Sequence, residues 1–156
     1  GEEDIAVVSP DAGRIRVAEQ WSKRLGGVNL AFIHKTRDTT RPNQAVAKRM
    51  IGDVTGKTCI LVDDMIDTAG TMCQAAQALK DHGASRVIAA ATHPVLSGPA
   101  AERLNNSCIE DLIVTNTLPI RKDVEIRNLT VLSIAPLVAK AIQEVFEDGS
   151  VTSLFR

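Results

Sequence analysis

Residues 60–71 read ILVDDMIDTAGT, and this stretch decides the fold. Three apolar residues, Ile60, Leu61 and Val62, end a short buried strand. Asp63 and Asp64 follow at once, Asp67 comes after Met65 and Ile66, and Thr68-Ala69-Gly70-Thr71 then open a helical pattern. Strand, small-residue turn and helix make one unit of a parallel sheet. Carboxylates repel one another and are costly to bury, so three at a strand end point to a ligand outside the chain. In open parallel sheets such ligands lie beyond the carboxyl ends of the strands. The free amides and positive dipole of a helix start suit a phosphate there. Gly70 permits close backbone approach, and Thr68 and Thr71 offer hydroxyl donors. The acids beside them can accept hydrogen bonds from sugar hydroxyls or hold Mg2+, so a phosphorylated ribose satisfies both halves. A strand-end cap or an ordinary helix start explains either piece alone. The whole DDxxDTAGT unit favours a site.

Composition agrees with the sheet. Apolar residues are 44% of the 156, aromatics only 3%, with no Tyr and a single Trp, so Val, Ile, Leu and Ala must build the core. That is the makeup of strands covered by helices on both faces. The length suits one domain. A net charge of −1 gives no support to a general nucleic-acid or membrane role, and no apolar run reaches membrane length. The three cysteines, Cys59, Cys73 and Cys108, show no metal spacing and predict inert buried thiols in a cytoplasmic protein.

Working outward, strands are expected over 4–9, 28–33, 58–62, 86–92, 112–115 and 129–133, with an edge strand over 50–54. Helices are expected over 13–25, 70–81, 100–106 and 135–146, the last marked by Pro136 near its start. In the first, Ile15, Val17, Ala18, Trp21 and Leu25 are candidate inner residues. Residues 34–48, HKTRDTTRPNQAVAK, are polar and basic and are expected to form mainly a long loop; 93–99 is a shorter one. The alternation predicts an α/β fold with a mostly parallel sheet flanked by helices.

Two further groups carry chemistry. Ser9-Pro10-Asp11-Ala12-Gly13 follows the first strand: Asp11 can ligate a metal, and the 12–14 backbone can hold a second phosphate-like group. An N-cap by Asp11 is an equal alternative. In the basic loop, Lys35 and Arg37 leave a strand on the ligand side, where phosphoryl transfer needs positive charge over the moving group. Lys48 and Arg49 are open between function and a solvated face. GDVTGKT, residues 52–58, resembles a Walker loop, but it has three residues between its glycines and precedes a strand, so it is set aside. His34 and His93 are expected to be structural, and His82 to sit at a helix end.

VDDMIDTAGT resembles the phosphoribosyl-binding signature of type I phosphoribosyltransferases and ribose-phosphate pyrophosphokinases. VVSPDAGRIRVAE resembles the pyrophosphate loop of the pyrophosphokinases, and HKTR their catalytic loop. ATHPVLSGPAAERL, VTNTLP and GSVTSLF are similar to further family segments in the same order. The resemblance covers essentially the whole chain and is to the carboxyl-terminal half of the family. It implies a type I phosphoribosyltransferase-like domain over 1–149. It implies also a tail, 150–156, that packs on an amino-terminal half supplying most of the ATP site.

The implied reaction transfers pyrophosphate from ATP to O1 of ribose 5-phosphate, with Mg2+, to give phosphoribosyl pyrophosphate and AMP; a fragment would turn over poorly. Carried over, Asp67, Thr68, Ala69, Gly70 and Thr71 hold the 5-phosphate. Asp63 and Asp64 meet the ribose hydroxyls and the metal site. Asp11, Ala12 and Gly13 form the pyrophosphate loop, with Asp11 on Mg2+. Lys35 and Arg37 are catalytic, and Ser97, Ser150 and Thr152 match segments near a regulatory site for ADP and phosphate. Homo-oligomers, usually hexamers, are implied. Ala12-Gly13-Arg14 stands where the family often has His-Gly-Gly, and Asp38 where many members have Pro. A phosphoribosyltransferase and a non-catalytic regulatory paralogue are the rival readings. The first lacks an evident base-recognition segment here; the second should have lost Lys35, Arg37 or the acid pair.

Overall fold

The computed structural model describes residues 4–36 and 47–155. Seven strands form one sheet: β1 Ile5–Ser9, β2 Asn29–Thr36, β3 Ala47–Ile51, β4 Thr58–Ile66, β5 Arg86–Pro94, β6 Asp111–Thr115 and β7 Leu129–Leu132. The helices are α1 Ile15–Arg24, α2 Gly70–Asp81, α3 Ala100–Asn105 and α4 Ala135–Phe146, with short 3-10 turns at Ala12–Arg14 and Val151–Phe155. The strand order is β3-β2-β1-β4-β5-β6-β7. Among the described residues only the β2–β3 pair is antiparallel; the other pairs are parallel. The chain thus builds outward from β1 to one side, then returns to build outward from β4 to the other. The switch in strand order falls between β1 and β4, where a ligand crevice is expected.

Alternate residues of the central strands point to opposite faces. Ala6, Val8, Cys59, Leu61, Ala89 and Ala91 face the larger core, closed by Met72, Ala75, Ala76 and Leu79 of α2 and Ala100 and Leu104 of α3. Val7, Val62 and Ala90 face a smaller core closed by Ala18 of α1. Trp21 and Leu25, expected inside, are 39% and 42% exposed; α1 meets the sheet through Ala18 and Val17 instead.

Three expectations are corrected. The 34–48 segment is not mainly loop at its ends: His34–Thr36 continues β2 and pairs with Ala47–Arg49 of β3. The edge position of β3 explains why its charges hid it, since edge strands carry charge. The edge strand itself stops at Ile51, not Val54. Finally, β4 and β5 run on as a paired ribbon to Ile66 and Pro94, so Asp63 and Asp64 lie within the strand rather than beyond it. The Walker-like segment set aside from the sequence precedes a strand, as expected: Lys57 stands before β4 and pairs with Asp4.

Candidate functional site

The ladder between β1 and β4 ends at Val8 and Leu61. Beyond it, β4 continues alone on that side, while the chain leaving β1 turns away through the 3-10 turn. A cavity of about 360 Å³ opens between them. Asp11, Arg14, Asp63, Asp64 and residues 65–72 line it. The structure therefore brings together the acid pair, the 67–71 turn and Asp11, which are up to sixty residues apart in sequence.

The 67–71 turn has the shape an anion seat needs. Ala69 adopts the left-handed conformation, φ 61° and ψ 3°, and α2 begins at the next residue. Its carbonyl accepts the first helical bond, from Cys73 N at 3.0 Å. The amides of the first helical turn have no intrahelical acceptor by geometry. Thr68 and Thr71 are exposed, so their hydroxyls are open to a ligand.

The acid pair is held by Arg14. Arg14 Nη2 lies 2.5 Å from Asp64 Oδ2, and Nε lies 3.7 Å from Asp63 Oδ1. The Asp64 amide donates to Asp63 Oδ1 at 2.8 Å. Burial pushes the Asp63 carboxyl up to about 6, against the opposing pull of that amide and of Arg14. For Asp64, burial pushes up as well, but the Asp63 side chain and Arg14 outweigh it and hold this carboxyl below its ordinary value.

Asp11 both lines the cavity and caps the turn, accepting from Gly13 N at 2.8 Å. Arg14 N bonds back to the Asp11 carbonyl at 3.4 Å. Two of the three amides over 12–14, those of Gly13 and Arg14, are thus engaged within the turn; Ala12 and Gly13 are exposed beside the cavity. Among the described residues no cluster of three or more His, Cys, Asp or Glu is arranged to hold a metal. Mg2+ needs only one or two carboxylates, completed by water and phosphate oxygens. Asp11, Asp63 and Asp64, hard oxygen donors on one cavity, fit that mode.

Other expected site residues are placed variously. Arg37 lies outside the described residues, and of Lys35 and Lys48 only the backbone is described, paired across β2 and β3. Ser97 is tied to the turn: its hydroxyl donates to Asp67 Oδ1, and its amide donates to the Asp67 carbonyl at 3.1 Å. Ser150 and Thr152 bond one another at 2.7 Å in the tail. Sequence reasoning missed Arg103, whose Nη1 donates to the Thr68 carbonyl at 3.0 Å. His93 bonds Thr117 Oγ1 at 2.9 Å, and His82, at the end of α2, bonds the Ala78 carbonyl at 2.7 Å. Burial pushes all three thiols up, Cys59 to about 11, although Cys73 and Cys108 are only partly buried. No helix of the described residues is long and apolar enough to cross a membrane.

Comparison with known proteins adds the family. The Phosphoribosyl synthetase-associated domain matches residues 35–156. A ribose-phosphate pyrophosphokinase of Bifidobacterium longum is 63% identical over 153 residues, covering 98% of this chain and 45% of the relative. One of Mycobacterium leprae is 60% identical over 152 residues, covering 97% and 46%. The crystal structure of phosphoribosylpyrophosphate synthetase from Mycobacterium smegmatis superposes with a TM-score of 0.85 at 57% identity, over 95% of this chain and 47% of that one. The chain thus spans about half the length of the relatives it matches. With sequence identity and backbone geometry in agreement along nearly its whole length, the chain belongs to the ribose-phosphate pyrophosphokinase family.

Proposed function

We propose that this chain is the carboxyl-terminal half of a ribose-phosphate pyrophosphokinase and holds ribose 5-phosphate for pyrophosphoryl transfer from ATP. The observation that carries this reading is the single cavity shared by Asp63, Asp64 and the 67–71 turn at the switch between β1 and β4.

In this reading the open amides of residues 68–71 and the hydroxyls of Thr68 and Thr71 take the 5-phosphate. Asp63 and Asp64 accept hydrogen bonds from the ribose hydroxyls, which turns O1 toward the incoming phosphorus. Asp11, with the acid pair, would hold Mg2+, which neutralises charge on the transferring group. Arg14, now on the acids, is near enough to both elements to offset their negative charge. Lys35 and Arg37 would stabilise the phosphorus as ribose O1 attacks it and the bond to the AMP oxygen breaks. The tail after 149 and the exposed face of α4 would be covered by the rest of the full-length protein or by other subunits of a homo-oligomer.

Calorimetric titration of this chain tests the reading. Ribose 5-phosphate should bind, and unphosphorylated ribose should bind at least about a hundredfold more weakly, because charge-assisted phosphate contacts are lost. Amide shifts on binding should centre on residues 63–71. Equal affinity for both sugars, or shifts elsewhere, would sink it. Turnover of phosphoribosyl pyrophosphate with free nucleobases would favour a phosphoribosyltransferase instead.

A further inference from the structure

We propose that Arg103 is a positioning residue for the sugar phosphate: by holding the Thr68 carbonyl from behind, it aims the Ala69 amide into the cavity. This rests on the reading of residues 67–71 as the phosphate seat.

Three successive carbonyls of the turn are held from one side. Leu96 N donates to Ile66 O at 2.9 Å, and Ser97 N donates to Asp67 O at 3.1 Å. Arg103 Nη1 then donates to Thr68 O at 3.0 Å. The first two donors sit on the connection after β5, and the third on α3, so one short segment serves the whole turn. Leu96 is 3% exposed and anchors that segment in the core.

A trans peptide places the C=O of one residue and the N–H of the next on opposite sides. Holding the Asp67 carbonyl therefore fixes the direction of the Thr68 amide, and holding the Thr68 carbonyl fixes that of Ala69. Both amides then face away from the segment after β5, on the side where the cavity lies. Ala69 needs such support, because a non-glycine residue in the left-handed region persists only when its surroundings hold it there. Arg103 also fills the space behind Gly70: a Cβ built there would lie 3.4 Å from Nη1. Among the three holding donors it is the sole side chain, and it is exposed, so it can be replaced without opening the core.

The test uses Arg103→Ala and Arg103→Lys in this chain, read two ways. Residual dipolar couplings of the free protein report the Ala69 N–H direction. It should turn in Arg103→Ala and return substantially in Arg103→Lys, which keeps one donor for the carbonyl. An unchanged direction in Arg103→Ala overturns the proposal, whatever binds. Calorimetry should show ribose 5-phosphate affinity falling roughly tenfold in Arg103→Ala, the scale of one charge-assisted hydrogen bond. Mn2+ affinity, read by electron paramagnetic resonance, should stay unchanged. Equal losses for sugar and Mn2+ would mean general disruption and overturn the positioning role. If the wild-type chain fails to bind ribose 5-phosphate, the phosphate reading falls and takes this role with it; the dipolar couplings separate that failure from a wrong assignment of Arg103.

Discussion

Asp63 and Asp64 are sequence neighbours with different surroundings: their side chains are 17% and 34% exposed. Burial raises the Asp63 carboxyl to about 6 from an ordinary 3.8. Between those values the folded chain binds more protons than the unfolded one, so stability falls as pH rises through the window. The cost is absent below about pH 4 and complete above about pH 6. Asp63→Asn should therefore stabilise the chain by about 1–2 kcal/mol at about pH 7, since each tenfold change in proton affinity is worth ~1.4 kcal/mol before a discount for partial exposure. That gain should disappear near about pH 4. Urea unfolding at the two pH values checks it, and equal effects at both would contradict the sign. The acids and the turn were legible as chemistry because their residue types are adjacent. Arg103 was not, since its partner Thr68 is 35 residues away and no periodicity marks the pair.

Among the elements, α2 and α4 begin and end where the sequence placed them, Gly70–Asp81 and Ala135–Phe146. The His82-Gly83 stop and Pro136 near the helix start are local signals. Strand ends were harder. The polar tails of β2, β4 and β5 gain their pairing from neighbours distant in sequence. Gly52 shows the tightness where β3 ends. Its φ is +99°, and a Cβ there would lie 2.6 Å from Leu30 O and 2.8 Å from Ala31 Cα. Both contacts are backbone, so they cannot yield cheaply. Gly52→Ala should destabilise the chain by about 2–3 kcal/mol, measured by denaturant unfolding. A loss below about 0.5 kcal/mol, the range of ordinary surface changes, would show the β2–β3 ribbon to be looser than described. Helix α4 is the opposite case: it has no buried residue, and Val145 is 66% exposed. Val145→Gln should change stability of this chain by no more than about 0.5 kcal/mol in the same assay.

For the molecule as a whole, the site depends on two βα units meeting where the strand order switches between β1 and β4. Asp11 follows β1, and the acid pair lies in the part of β4 that runs past the end of β1, so one cavity collects both. The chain spans about half the length of its relatives, and α4 and the tail leave Ile142, Phe146 and Phe155 exposed. If the rest of the full-length protein completes the ATP site, this chain alone should bind ribose 5-phosphate yet turn over at least about a hundredfold more slowly than a full-length relative, the scale of a misplaced reactant. Coupled detection of AMP measures it; comparable rates would remove the need for a second half.

By itself the sequence determined the α/β class, the two long helices and the strand-turn-helix that carries the acids, because these follow from short-range periodicity and turn chemistry. Its family-like segments also carried the resemblance to the ribose-phosphate pyrophosphokinases, and the comparisons bore out that family. Only the tertiary structure decided that Arg14 closes on the acid pair, that Asp11 spends its carboxylate on Gly13, and that Ser97 and Arg103 hold the turn from behind. The Arg14, Ser97 and Arg103 contacts join residues through strand order and sheet register, which no local pattern of side chains encodes.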